Sequence, residues 1–178
     1  SEGQLYHQQM LAAILSEIDG FAQKGKRDLV MTVGATNRPW DLDAAVLSRF
    51  ERRILIDLPD TEARADIFRI HLEDKGIPVD HRSLSYSRLA NETERLTGRE
   101  IARLCKEVTA NMLGEMNPEI PALVDAGLKR LQDYEIKLRA LRHSDFTTPL
   151  ELLVPDTSEA EEHHYADWGK ALGRDKHA

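Results

Sequence analysis

The stretch that most constrains the fold is 28–60, DLVMTVGATNRPWDLDAAVLSRFERRILIDLPD, because it holds two short apolar runs with no polar face. Leu29, Val30, Met31, Val33 and Ala35 make the first run, which stops at Thr36-Asn37-Arg38-Pro39. Ile54, Leu55, Ile56 and Leu58 make the second, which stops at Pro59-Asp60. A strand apolar on both faces must be covered on both, and such strands belong to parallel sheets flanked by helices. The expected fold class is therefore α/β. Ligands of open parallel sheets sit beyond the carboxyl ends of the strands. Asn37 is the first side-chain amide after the first run, so it stands where a ligand is expected.

Between the runs, Leu42 to Leu47 reads as a short helix with Asp43 in the N-cap position, followed at once by Ser48-Arg49-Phe50-Glu51-Arg52-Arg53. Arginines clustered at one corner suit bidentate contact with phosphate or carboxylate. Arg52 and Arg53 open the second run at consecutive positions, so their side chains diverge to opposite faces and one of them joins Arg49. Arg52 is the expected partner, and Arg53 a structural or surface charge.

These residues carry a family resemblance. The ATNRP turn, the W-x-L-D-x-A step, the R-F-E-R-R-I run and the L-P-D exit, in that order, resemble the second region of homology of the AAA ATPases, on the side of katanin, spastin and valosin-containing protein. The resemblance implies the C-terminal strands and helix of a AAA P-loop-type parallel sheet, followed by an all-helical lid. It implies ATP and Mg²⁺ as cofactors, and a homo-oligomeric ring, a hexamer, that remodels proteins or assemblies. Asn37 would be sensor 1, which orients the attacking water and senses the γ-phosphate. Arg49 would be the arginine finger that reaches a neighbour's ATP, with Arg52 supporting it. Val46, Leu47 and Ser48 stand where close relatives carry a further arginine.

The sequence contains no G-x-x-x-x-G-K-S/T and no apolar run ending in Asp-Glu. Without the first nothing cradles the phosphates, and without the second nothing holds Mg²⁺ or polarises water. The expectation is a C-terminal portion of a AAA ATPase, with Ser1 to Gln4 as the remnant of the second pore loop, catalytically incompetent alone. Two rival readings stand beside it: a nonenzymatic AAA-like partner that lends Arg49 to another subunit, and a protein-interaction module without nucleotide chemistry.

Of the 178 residues, 41% are hydrophobic and 31% charged, a balance that excludes wholesale disorder and points to a soluble, cytoplasmic protein. No run approaches the roughly 18–20 apolar residues of a membrane-spanning helix. The net charge of −7 argues against nonspecific nucleic-acid binding. A lone Cys105 excludes an internal disulfide and reads as a reduced core residue.

In chain order, Leu11, Ile14, Leu15 and Ile18 give a sheet-covering helix over 5–22, and Gln23 to Arg27 a basic turn. After Pro59 the pattern turns helical. Asp60 or Thr61 caps a helix to about Asp74 with Ala63, Ile67 and Ile70 on its inner face, stopped by Gly76 and Pro78. His71 on this helix is either a packed or surface side chain or, by the resemblance, a histidine beside the base and ribose. Leu84 to Asn91 is a short helix. Thr97 and Glu100 form a capping box for a helix with the stripe Ile101, Leu104, Cys105, Val108 and Met112. By the resemblance, Gly98 lets that helix approach adenine. Arg99 is an exposed first-turn arginine or a sensor 2 on phosphate.

Ile120 to Leu141 carries apolar residues near a 3.5 spacing and reads as one amphipathic helix, core or coiled coil. Ser144-Asp145-Phe146 opens another. Val154-Pro155-Asp156 is a linker, and Ser158 with Glu161 boxes the start of a last helix that carries Tyr165, Trp168 and Leu172 on one face and ends near Gly173. His163 and His164 point about 100° apart on that helix, so no metal site is expected. The expected domains are 1–59, the α/β part; 60–153, the helical lid; and 154–178, the C-terminal helix.

Overall fold

The computed structural model describes residues 10, 13, 14, 16, 17, 31–50, 52–125 and 134–171. The chain divides into two compact units, Ser1–Leu55 with His163–Ala178, and Ile56–Glu162. Helices α1 (Ala44–Leu47), α2 (Thr61–Leu72), α3 (Tyr86–Glu92), α4 (Gly98–Met116), α5 (Ile120–Asp125), α6 (Ser144–Leu152) and α7 (Glu159–Ala171) follow one another in that order.

In the unit Ile56–Glu162, α2 starts where Asp60 Oδ1 accepts the Ala63 N–H at 2.8 Å and ends through a 3₁₀ turn at Gly76, whose φ of 73° suits glycine. Its buried face differs from the expected one. Arg64, Phe68 and Leu72 point inward, Ile67 is partly buried, and Ile70 is 46% exposed. The arginine decides this register. Its guanidinium donates to Ala90 O at 2.9 Å, Pro59 O at 2.7 Å and Thr61 Oγ1 at 3.2 Å, so it can lie inside with its polar atoms satisfied.

Helix α4 carries the core. Ile101, Leu104, Cys105, Val108 and Met112 are all buried, packed with Phe68, Leu89 and Phe146, the two phenyl rings meeting edge to face at 6.1 Å. Burial pushes the Cys105 thiol up to about 12. The capping box closes as its spacing demands: Thr97 N–H and Oγ1–H reach Glu100 Oε2 at 2.7 and 2.6 Å, and Thr97 Oγ1 accepts the Glu100 N–H at 3.3 Å. Ser158 and Glu161 repeat the pattern before α7. Just before the first box, Arg95 sits in the left-handed region at φ 71°, its guanidinium paired with Glu162 at 2.8 Å.

The single helix expected over 120–141 is not what forms. Helix α5 covers Ile120–Asp125, residues 126–133 lie outside the described set, and 134–140 are non-helical. The cause is Asn117, which is 1% exposed at the end of α4. Its amide donates to Leu113 O at 2.8 Å and Lys137 O at 2.9 Å, and its Oδ1 accepts the Lys137 N–H at 2.8 Å. A Lys137 that offers both backbone groups to one side chain is not in a helix. Leu141 then pairs with 78–80, donating to Pro78 O at 2.8 Å and accepting from Asp80 N at 2.9 Å, a parallel bridge. Around this junction, Glu119 Oε1 receives Lys137 Nζ at 2.8 Å and the Tyr134 hydroxyl at 2.5 Å.

In the other unit, the helix expected over 5–22 is described only at Met10, Ala13, Ile14, Ser16 and Glu17, all helical, and the basic turn 23–27 lies outside the described residues. Among the described residues no strand is formed. Met31 (85% exposed) and Val33 (77%), and in the second run Ile54 (73%) and Ile56 (90%), lie open instead of buried. An apolar run becomes a buried strand only when neighbouring strands take up its N–H and C=O groups, and the described residues supply no such ladder.

Two outcomes follow. Asn117→Ala should cost the helical unit about 2–4 kcal/mol, because it removes the side chain that pairs both the N–H and the C=O of Lys137, and a urea midpoint measures it. Hydrogen bonds from Lys137 first and Tyr134 second hold the Glu119 carboxyl at about 2, below its usual 4.5. A depressed folded value stabilises above the unfolded one, so this contribution is complete above pH 4.5 and fades as pH falls toward 2. Wild type and Glu119→Gln should therefore differ in acid unfolding at pH 5 and converge by about pH 2, followed by far-ultraviolet circular dichroism.

Candidate nucleotide site

The turn after the first apolar run is built from local bonds. Thr36 Oγ1 accepts the Arg38 N–H at 3.0 Å, and Pro39–Asp41 makes a 3₁₀ turn with Pro39 buried. Arg38 pairs with Asp41 at 2.8 Å, and Asn37 before it is exposed. Helix α1 is anchored by Val46, 9% exposed, and Asp43 occupies its N-cap without a side-chain bond. Phe50 lies against Gly34, where an added Cβ would come within 3.1 Å of the phenyl ring; this close approach is the reason for glycine there. The contact ties Phe50, the neighbour of Arg49, to the first run.

The three arginines of this corner do different things. Arg49 is exposed, with Nη1 donating to Ala45 O at 2.9 Å and to Ser48 Oγ at 3.3 Å. Arg53 turns back on α1, donating to Leu47 O at 3.2 Å and Phe50 O at 3.4 Å at the end of the helix. Arg52 is exposed.

In the helical unit the candidate residues His71 and Gly98 share one side. Ile67 Cδ1 lies 3.5 Å from where a Cβ on Gly98 would stand, and His71, half-buried, is one turn beyond Ile67 on the same face of α2. Among the described residues that 3.5 Å contact is the one such a Cβ would meet. Glu100 sets the charge of the helix start. Burial raises its carboxyl, but bonds from the Thr97 side chain, the Asp156 N–H at 2.6 Å and the Thr97 N–H outweigh burial and hold it below the usual range. The helix start thus already holds an anion of its own. Arg99 projects into solvent one residue on.

Sequence reasoning missed Tyr165. Its hydroxyl donates to the Asn37 carbonyl, and its ring meets Trp40 at 5.0 Å. The apolar face of α7 was legible, but nothing in one-dimensional spacing pairs it with residue 37. Arg64 and Asn117 were missed for the same reason. Among the described residues no group of three His, Cys, Asp or Glu could hold a metal ion, and His163 and His164 are exposed.

Residues 1–58 match the family described as ATPase family associated with various cellular activities (AAA). The chain is 33% identical over 159 residues to spastin of Xenopus tropicalis, covering 89% of this chain and 24% of that protein. It therefore spans about a quarter of that relative's length. In fold it resembles the crystal structure of the FIGL-1 AAA domain in complex with ADP, with a TM-score of 0.73 and 24% identity over 92% of this chain and 52% of that one. A structure described as the structural basis for katanin self-assembly matches with a TM-score of 0.58 and 27% identity, over 74% of this chain and 44% of that one. No helix among the described residues is long and apolar enough to cross a membrane. Residues 1–58 thus carry the AAA match, and about nine-tenths of the chain is similar to a part of a AAA ATPase of the spastin and katanin type.

Proposed function

We propose that this chain is the sensing and lid portion of a cytoplasmic AAA ATPase that assembles as a hexameric ring and uses ATP, with Mg²⁺, to remodel a protein or assembly. The observation that favours the reading is the Gly34–Phe50 contact, which ties the neighbour of Arg49 to the run that leads into the Asn37 turn. Asn37 orients water on its own subunit's ATP, and Arg49 stabilises transition-state charge on a neighbour's, an effect worth ~10³–10⁵ in rate. Arg52 supports Arg49, a division favoured by the use of Arg53 on the carbonyls of Leu47 and Phe50. Gly98 and His71 line the base, with Arg99 at the rim. The parts of the chain read as 1–59, 60–153 and 154–178 serve as α/β core, lid and C-terminal helix. Since the sequence carries neither phosphate-cradle motif nor acidic pair, this polypeptide by itself should not hydrolyse ATP.

Mixing inactive variants tests the reading. In the full-length protein, Arg49→Ala and Asn37→Ala should each lose turnover by at least about 10²-fold, Arg49→Ala with nucleotide affinity nearly unchanged. Mixed rings regain part of the activity wherever an intact site faces an intact finger. Mixtures that assemble yet stay inactive would refute a finger acting between subunits.

Gly98→Ala separates nucleotide binding from folding. The helical unit should keep or slightly gain stability, by up to ~1 kcal/mol, because alanine at the first helical position meets ordinary contact only. Affinity for ADP in the full-length protein, measured by calorimetry, should fall because the methyl group occupies the approach to the base. Unchanged affinity would remove Gly98 from the site.

A further inference from the structure

The peptide plane between Asn37 and Arg38 is held at both ends. Its N–H, on Arg38, donates to Thr36 Oγ1 at 3.0 Å, and its C=O, on Asn37, accepts the hydroxyl of Tyr165. The first bond is local, a threonine closing on the residue two places ahead. The second comes from α7, 128 residues away. Trp40 places the phenol ring: the two rings meet at 5.0 Å and 63°, and His164 meets the same indole at 5.1 Å and 84°. Trp40 itself belongs to the 3₁₀ turn begun by the buried Pro39, whose ring fixes its own φ and restricts Arg38 before it. Local geometry thus sets the downstream side of the turn. The rotation of the 37–38 plane is left to a bond from outside.

We infer that Tyr165 is a positioning residue for Asn37. By holding the carbonyl it fixes the plane that follows the Asn37 Cα, and with it the direction in which a short, exposed side chain with two torsions can aim its amide. The proposal rests on the reading of Asn37 as the water-orienting residue. It adds that the aim is set from α7, so loss of the Tyr165 tether lowers turnover.

Tyr165→Phe isolates the effect, since it keeps the ring against Trp40 and removes only the donor. In this chain, labelled with ¹⁵N, the Arg38 amide resonance should move and exchange faster with solvent while the Trp40 indole N–H stays in place. In the full-length ATPase, kcat should fall about three- to tenfold, the size of one ordinary hydrogen bond, with KM within about twofold. The double variant Asn37→Ala with Tyr165→Phe should be no slower than Asn37→Ala alone, because the tyrosine acts only through the asparagine. An unmoved Arg38 amide overturns the proposal, as does an additional loss in the double variant. An Arg38 amide that moves without any fall in kcat also overturns it. If Asn37→Ala itself keeps full turnover, the sensor reading has failed, and the tether is then judged by the Arg38 amide alone.

Discussion

The carboxylate of Glu100 is the group on which the helical unit depends. It is fully buried, yet it stays in its charged form because the Thr97 hydroxyl and N–H and the Asp156 N–H all point at it. Those donors come from the residue before α4 and from the segment that leads into α7, so one side chain starts a 19-residue helix and fixes the chain that returns across it. A charge in this position also lies along the helix dipole in its favourable sense. Replacing it by an apolar residue would leave three donors open at once, in a place water reaches poorly.

What was legible in the sequence was local. The stripe of α4, the two capping boxes and the glycine stop at Gly76 each rest on contacts within four residues, so spacing alone located them. Where a distant partner competed, spacing failed. The spacing of Tyr134, Leu138 and Leu141 imitates a helical face, but Leu138 is exposed, because Lys137 beside it is turned to give its backbone to Asn117. The inner face of α2 was misplaced for a related reason: a buried arginine reads as a surface residue until its three oxygen acceptors are seen. The two apolar runs at 29–35 and 54–58 depend on strand partners, which are never written in the run itself.

The candidate site divides along the same line. Asn37 and the arginine corner stood out because polar residues interrupt an apolar pattern at fixed offsets. Gly98 and His71 were named on resemblance, and their common side became visible only through Ile67, which belongs to neither motif. Tyr165 could be placed on a helix face and no further. The asymmetry is physical: a side chain's type limits its chemistry, whereas its orientation depends on atoms far away along the chain.

The single cysteine gives this protein a built-in clock. At 2% exposure, with burial pushing its thiol far from the reactive thiolate, Cys105 is silent toward thiol reagents while α4 keeps its contacts. It sits on the stripe that meets Phe68 and Phe146, so it becomes reactive only when those packing contacts part. The rate at which a mild alkylating reagent marks the chain therefore counts the openings of the helical unit, without any probe having to be introduced.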